Sequence, residues 1–539
     1  MDRINKFLYR IQIFLTSEYS TLLPSLFTRI LFWFILVFIF SWSIYFFVCT
    51  ITMPYPIEYR EGAALVMTQI LLDGGNPFSY EYQPLGMNVY GIAFSLIVTP
   101  FADFFGNTLA VHRSTTLLFL LGSFLLSTVT IWRFNKDLLI AIALSTISLI
   151  SLASRGGVGA FPSAMGTFIF LISILIPYHR SYSYSSLALS SFICVLAYYT
   201  KPYFLLSFFI LASYVILFVS KKKGVFFVLL FILIFIGFYL PVRHYLKFYF
   251  LNTLFGNMLN ARRDYGHLGY QFHILLVEFY PVVAIAIVAI LAHLIPRNKS
   301  VIIFKNDGTL FDLVTLPKPM FCVSMDFFFY TFSVSTIIFT LLLGPHTGAF
   351  MTYAYHIMIP PFLLWLSRLI KPHSRLLVFS TPLVLLNLIL LTPKFLNPAF
   401  LSQRESREWA KLYQYAQSAT LILNSPILAS LMVERGMLPV DSGQTEYFYR
   451  FDLYPYSRNI LLGPEYRVIK SEGREYKEVI QNSVINANYD MIIIWEGQWL
   501  LGYIYEDLPK IYTRIDSILI DMPQTGQVWP AEIWIPKMK

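Results

Sequence analysis

Charge is what this chain has least of. Asp, Glu, Lys and Arg make up 13% of its 539 residues, against roughly 25% in a soluble domain. The polar surface that a soluble protein of this length needs is therefore missing. Cysteine is scarce too. Cys49, Cys194 and Cys322 all fall in apolar runs, which excludes a disulfide framework or a thiolate metal site. No His/Asp/Glu cluster has metal-ligand spacing, so no cofactor is certain and a divalent metal stays an open alternative. No internal repeat or low-complexity tract stands out. The first apolar run is too long for a signal-peptide core and lacks a small-residue cleavage site, so it is expected to remain as an uncleaved span.

What the chain does have is apolar sequence: 57% hydrophobic and 18% aromatic residues. The run from Ile30 to Ile51 carries no charge and exceeds the about 20 residues that cross a bilayer. Similar runs recur as far as Leu376–Leu391. They predict an α-helical polytopic membrane protein with about 11–13 transmembrane helices over residues 1–392. Residues 393–539 are more polar. Strand-like runs at Leu421–Leu423 and Met491–Trp495 and a helical pattern at Glu405–Ala416 predict a small mixed α/β domain there. The formal charge of +10 does not point to nucleic acid. The cations sit in short loops among aromatic anchors, as at a membrane interface.

The loops set an orientation. Arg3, Lys6, Arg10 and Arg29 put the N-terminus in the cytoplasm, and Lys221–Lys223, Arg297–Lys318 and Arg368–Arg375 mark later cytoplasmic loops. These assignments agree only if the two runs within Met87–Ile131 make one net crossing. The C-terminal domain then lies outside, in a multi-pass protein of a plasma (inner) membrane. No Asn-x-Ser/Thr site occurs in a predicted outer segment, which favours a bacterial membrane. Arg243–Arg263 mixes basic, aromatic and apolar residues and predicts an interfacial helix.

The stretch Glu58-Tyr59-Arg60-Glu61-Gly62 follows the first span, within an outer loop of residues 53–89. Carboxylates at a span end are costly unless water or a partner meets them. Glu58 and Glu61 are three apart and would share a face of a helix. That helix is expected to lie at the membrane surface, present its acids to a polar cavity, and end at Asp73-Gly74-Gly75-Asn76-Pro77. A solvated loop is the alternative.

Together with Asn88-Val89-Tyr90-Gly91 and Pro100, these residues resemble the first outer loop of GT-C superfamily glycosyltransferases, polytopic enzymes that use polyprenyl-phosphate-linked sugars. The resemblance implies a catalytic, base-like carboxylate in this loop. Glu61 fits its spacing best and Glu58 is second; Arg60 stands where the family often has a second acid. Lys201 resembles a family lysine that contacts lipid phosphate, although a lysine between two apolar runs can also simply snorkel. His346-Thr347-Gly348-Ala349 and Tyr353 resemble a late loop-to-span junction.

Inverting transfer from a lipid phosphate needs a base for the acceptor hydroxyl and a cation for the leaving phosphate. Besides Lys201, the donor-phosphate candidates are Arg60, Arg155 in a glycine-rich outer loop, and Arg262 and Arg263 after the interfacial segment, which also suit anionic head groups. Glu278, early in an inward-running span, is a cavity-lining candidate. The expected function is a membrane hexosyl- or pentosyltransferase that moves a sugar from a polyprenyl-phosphate donor to a glycan or lipid acceptor at the outer face. A lipid-linked glycan flippase would need repeats and midplane charges, and a polysaccharide polymerase or ligase would need a large late loop between spans.

Overall fold

The computed structural model describes residues 23–83, 85–154, 157–255, 263–294, 326–345, 352–370, 375–395, 403–445, 465–495, 504–522 and 527–537. Helices dominate. In chain order they begin with α1 (Leu23–Thr52), α2 (Glu61–Leu72), α3 (Ala93–Phe105), α4 (Leu109–Asn135), α5 (Leu138–Ala153), α6 (Ser163–His179) and α7 (Tyr184–Thr200). There follow α8 (Pro202–Val219) and α9 (Lys221–Tyr245), then α10 (Tyr265–Leu294) and α11 (Phe327–Leu343). The bundle is completed by α12 (Thr352–Ile357), α13 (Ile359–Leu369) and α14 (Arg375–Phe395). Among the described residues, 6 helices are long and apolar enough to cross a membrane; α5, α6, α7 and α11 are shorter apolar helices packed among them. With this composition the chain is an integral membrane protein.

Hydroxyl side chains inside the bundle turn back on their own helix. Ser43 and Thr50 each donate to the carbonyl four residues earlier, both at 2.8 Å, as expected where no water can satisfy them. Four of the helices that start at the end away from the C-terminal domain carry side-chain caps. Asp137 caps α5, Ser183 caps α7, Ser220 caps α9 and Asp326 caps α11, satisfying first-turn amides that lack intrahelical partners. Arg29 pairs with Asp137 and Arg368 with Asp326, so the capping acids also tie neighbouring helices together.

Within Met87–Ile131 one helix, α4, is long and apolar enough to cross a membrane. Helix α3 is too short to span: its 13 residues extend about 20 Å. Both its ends lie at one end of the bundle. Gly91 N, before it, donates to Thr200 O at the end of α7 at 3.0 Å. Asn107, after it, donates to Leu65 O in α2 at 2.9 Å. It buries Phe94, Val98 and Ala102 and exposes Phe101, Phe104 and Phe105, the pattern of a helix lying in an interface. Helix α4, of 27 residues, has the length and apolar character for the crossing.

Arg243–Arg263 is not one interfacial helix. Helix α9 runs on to Tyr245, and a short helical turn follows at Leu251–Phe255. Between them Phe248 N donates to Phe78 O at 3.2 Å and Tyr249 packs on Phe78, rings 5.0 Å apart. The loop after α2 holds this segment against itself and buries Phe248 and Tyr249, because burying two large aromatics stabilises more than leaving them half-wetted.

Beyond α14 come α15 (Gln403–Ser418), β1 (Ile422–Leu423), α16 (Ala429–Glu434), α17 (Glu465–Ile485), β2 (Met491–Ile494), α18 (Leu508–Ile511), β3 (Tyr512–Met522) and β4 (Gln527–Pro536). The strands form one sheet in the order β1-β2-β4-β3. β1 and β2 are parallel, the other pairs antiparallel, with an irregularity between Arg514 and Asp516. This mixed α/β unit sits directly on the loop after α1. Tyr55 stacks on Trp409 at 5.2 Å and Tyr59 packs on Trp529 at 4.9 Å. Helix α2 meets α16 so closely that a Cβ at Gly62 would lie 2.4 Å from that of Ala429.

Candidate active site

The two acids that follow α1 have different surroundings. Helix α2 begins only at Glu61, so Glu58 stays in the loop and the two do not share a helix face. Glu61 is fully buried. One oxygen accepts from Arg113 Nε at 3.0 Å and from Ala160 N at 2.8 Å. The other accepts from Arg113 Nη2 and from Ile57 N, both at 2.8 Å. All four lone-pair positions of a carboxylate are thereby used. Arg113, at the start of α4, is equally enclosed. Its remaining N–H groups donate to Thr50 O at 2.9 Å and to Met53 O and Tyr55 O, both at 2.7 Å. A closed knot joins the end of α1, the start of α2, the start of α4 and the loop before α6. Sequence reasoning missed Arg113. An arginine opening an apolar run was the available signal, but its partner lies 52 positions away.

Glu58 is 3% exposed, with a looser set of partners. Arg60 donates its backbone N at 2.9 Å and its Nε at 2.5 Å. Burial holds the Glu58 carboxyl above the usual carboxylate range, against the lowering pull of Arg60. Arg60 is partly exposed and its guanidinium also lies against the Tyr59 ring, 5.3 Å from the centroid.

Lys201 stands at the end of α7, where the chain turns extended before Pro202. Its ammonium points inward, and the residue is 7% exposed. Nζ donates to Ser163 Oγ at 3.1 Å and faces the rings of Tyr90 at 4.6 Å, Tyr353 at 4.9 Å and Tyr203 at 5.2 Å. Aromatic faces attract a cation through the ring quadrupole, but they replace hydration poorly. Burial, and after it the Arg60 guanidinium, push the lysine down to about 7, with Glu58 acting the opposite way. Glu58, Arg60 and Lys201 thus belong to one electrostatic cluster.

The motif residues explain how the cage is built. Asn88 Oδ1 accepts from Tyr90 N at 2.8 Å, fixing the turn that carries the Tyr90 ring. Val89 N donates to Gln444 of the C-terminal unit at 2.7 Å. Gly91 passes so close to α7 that a Cβ there would fall 1.8 Å from Tyr199 O, a contact only glycine permits. Tyr353 is delivered by α12, whose His356 lies 3.5 Å from the Tyr203 hydroxyl.

The other candidates are not gathered here. Glu278 is buried within the bundle, where it accepts from Tyr355 OH, and its backbone carbonyl accepts from Asn387 at 2.9 Å. Arg263 is exposed beside Asp264. Arg155, Arg262 and His346 lie outside the described residues. Among the described residues no three His, Cys, Asp or Glu side chains gather as a metal site.

No protein-family model matches the chain, and no curated relative matches it. Solved structures do. The chain is similar to ArnT from Cupriavidus metallidurans bound to undecaprenyl phosphate, with TM-score 0.55 and 11% identity, over 93% of this chain and 97% of that one. It is also similar to the apo state of the same protein, with TM-score 0.54 and 10% identity, over 92% and 97% of the two chains. The protein has a GT-C-like fold, shared across the bundle and the C-terminal unit.

Proposed function

We propose that this protein is a membrane glycosyltransferase that takes a sugar from a polyprenyl-phosphate donor and gives it to a glycan or lipid acceptor, at the end of the bundle that bears the C-terminal domain. That end is read as the outer face, with the N-terminus cytoplasmic, from the basic loops. The observation that carries the reading is the buried Lys201 ammonium in its tyrosine cage, coupled to Glu58 and Arg60. A cation held in so dry a place is costly without an anion, and a lipid phosphate supplies one. A solved structure of the same fold has undecaprenyl phosphate bound.

In this reading the acceptor hydroxyl attacks the anomeric carbon, Glu58 takes the hydroxyl proton, and the bond from that carbon to the phosphate oxygen breaks. The phosphate leaves with the electron pair, and Lys201 holds its charge as a point cation. Glu58 is preferred to Glu61 as base because its raised proton affinity suits the task. Glu61 has every acceptor position already used. Arg60 orients Glu58 and can move toward phosphate. Titrating polyprenyl phosphate against wild type, Lys201→Ala and Lys201→Arg tests the reading. The alanine variant is expected to bind about 10–100-fold more weakly, the arginine variant to be intermediate. Equal affinity in all three would remove Lys201 from the site.

A further inference from the structure

At the end of the bundle away from Glu58 and Lys201, a cleft of about 240 Å³ opens between α1, the α4–α5 junction and α14. Arg29, Trp33, Asn135, Lys136, Asp137 and Leu377 are among its lining residues. Its one acid is already engaged. Asp137 Oδ1 caps α5 through Leu139 N at 3.0 Å and Ile140 N at 3.3 Å, and Oδ2 takes Arg29 at 2.6 Å. Lys136 has no ion-pair partner among the described residues, so the cleft keeps a net positive charge. Asn135 is fully buried; its Oδ1 accepts from Asp137 N at 3.1 Å, while its Nδ2 has no hydrogen-bond partner among the described residues. Lys136 itself sits at φ 55°, a left-handed position where glycine or asparagine is the easier residue. The chain places a lysine there all the same, and that residue is part of the cleft's lining.

The depth of the cleft is marked by tryptophan. Trp33 and Trp132 are 39% and 46% exposed, and Lys136 Nζ lies 5.9 Å from the Trp132 ring. Tryptophan beside lysine and arginine at a span end belongs at head-group level. Trp33 on α1 and Leu377 on α14 give the cleft an apolar wall, while Arg29, one turn from Trp33 on α1, and Lys136 at the α4–α5 junction bring the cations. Free phosphate has no use for the apolar wall; a glycerophospholipid uses both.

We propose that this cleft binds the head group of an anionic phospholipid from the leaflet at that end, clipping α1 to the α4–α5 junction. Basic pockets between transmembrane helices are suited to such head groups. The test uses the full chain in detergent, with phosphatidylglycerol, phosphatidylcholine or inorganic phosphate added, read as lipid retained per protein by native mass spectrometry and as thermal stability. Lys136→Asn keeps a residue at ease with the left-handed backbone and removes the charge. It should weaken phosphatidylglycerol binding about fivefold, the worth of one lysine near a membrane surface. Lys136→Arg should retain it, and Lys222→Asn, a cation elsewhere at the same end, should leave it unchanged. Equal phosphatidylglycerol affinity in wild type and Lys136→Asn would overturn the proposal. So would equal retention of phosphatidylcholine, or the same stabilisation from inorganic phosphate alone.

Discussion

Replacing Glu61 by glutamine separates the structural from the chemical role of the two acids after α1. In the folded protein the Glu61 carboxylate receives four N–H groups, two from Arg113 and one each from Ile57 and Ala160. Glutamine has one acceptor oxygen and one NH2. Whichever way the amide turns, two of those N–H groups meet a donor instead of an acceptor. Arg113 loses its counter-charge while fully buried. Removing one member of a buried ion pair costs about 3–5 kcal/mol, a large share of a typical total stability of about 5–15 kcal/mol. Glu61→Gln is therefore expected to lose folded, monodisperse protein on mild heating, with activity falling in step with the folded fraction. Arg113→Met should do the same. The double variant should lose less than the sum of the two, by about 0.5–3 kcal/mol of coupling. The assay is size exclusion after a heat challenge, with donor turnover measured on the surviving peak. A Glu61→Gln protein as heat-stable as wild type but without turnover would refute the reasoning and return Glu61 to the chemistry.

Glu58→Gln should show the reverse pattern, with turnover down about 10²–10⁴-fold and thermal stability near that of wild type; a variant that keeps normal turnover would free Glu58 of the base role. Lys201 titrates at about 7 instead of its ordinary 10.5, so between those values the unfolded chain binds a proton that the empty folded site lacks. The stability of the empty protein should then rise with pH through that window, and apparent affinity for polyprenyl phosphate should fall above pH 7 as the cation is lost. Binding at pH 8 should take up close to one proton, measurable by calorimetry in buffers of different ionisation heat; no uptake would remove the lysine from the phosphate contact. Gly91→Ala forces a side chain onto Tyr199 O and should abolish folded expression. Gly237→Ala, in α9 with nothing near its Cβ, should be neutral or stabilising by up to about 1 kcal/mol.

What was legible in the sequence follows from how local each signal is. The uncharged run behind α1 and the Asp73-Gly74-Gly75 stop after α2 depend on neighbours a few residues away, and both were readable. The basic loops on either side of Met87–Ile131 call for one net crossing there, and of its helices only α4 is long and apolar enough to span. Which run failed to cross was not readable, since α3 is held to one end by hydrogen bonds to Thr200 and Leu65. The β3–β4 hairpin escaped notice although Ile518, Ile520 and Met522 alternate inward. At the site, Glu58, Glu61, Lys201 and Tyr353 all carried a signal as chemistry-bearing residues near predicted outer ends. Their sorting did not. That Glu61 is sealed by Arg113, or that Tyr90, Tyr203 and Tyr353 close on one ammonium, depends on contacts between segments far apart in sequence.

The most direct test of the account is sugar transfer itself. Purified full-length protein in lipid nanodiscs is given a panel of radiolabelled polyprenyl-phosphate sugars and an extract of envelope glycans and lipids. The account predicts label moving to an acceptor with release of polyprenyl phosphate in wild type and Lys201→Arg, and loss of that transfer in Glu58→Gln and Lys201→Ala. Transfer at wild-type rate by both of the latter variants would contradict it.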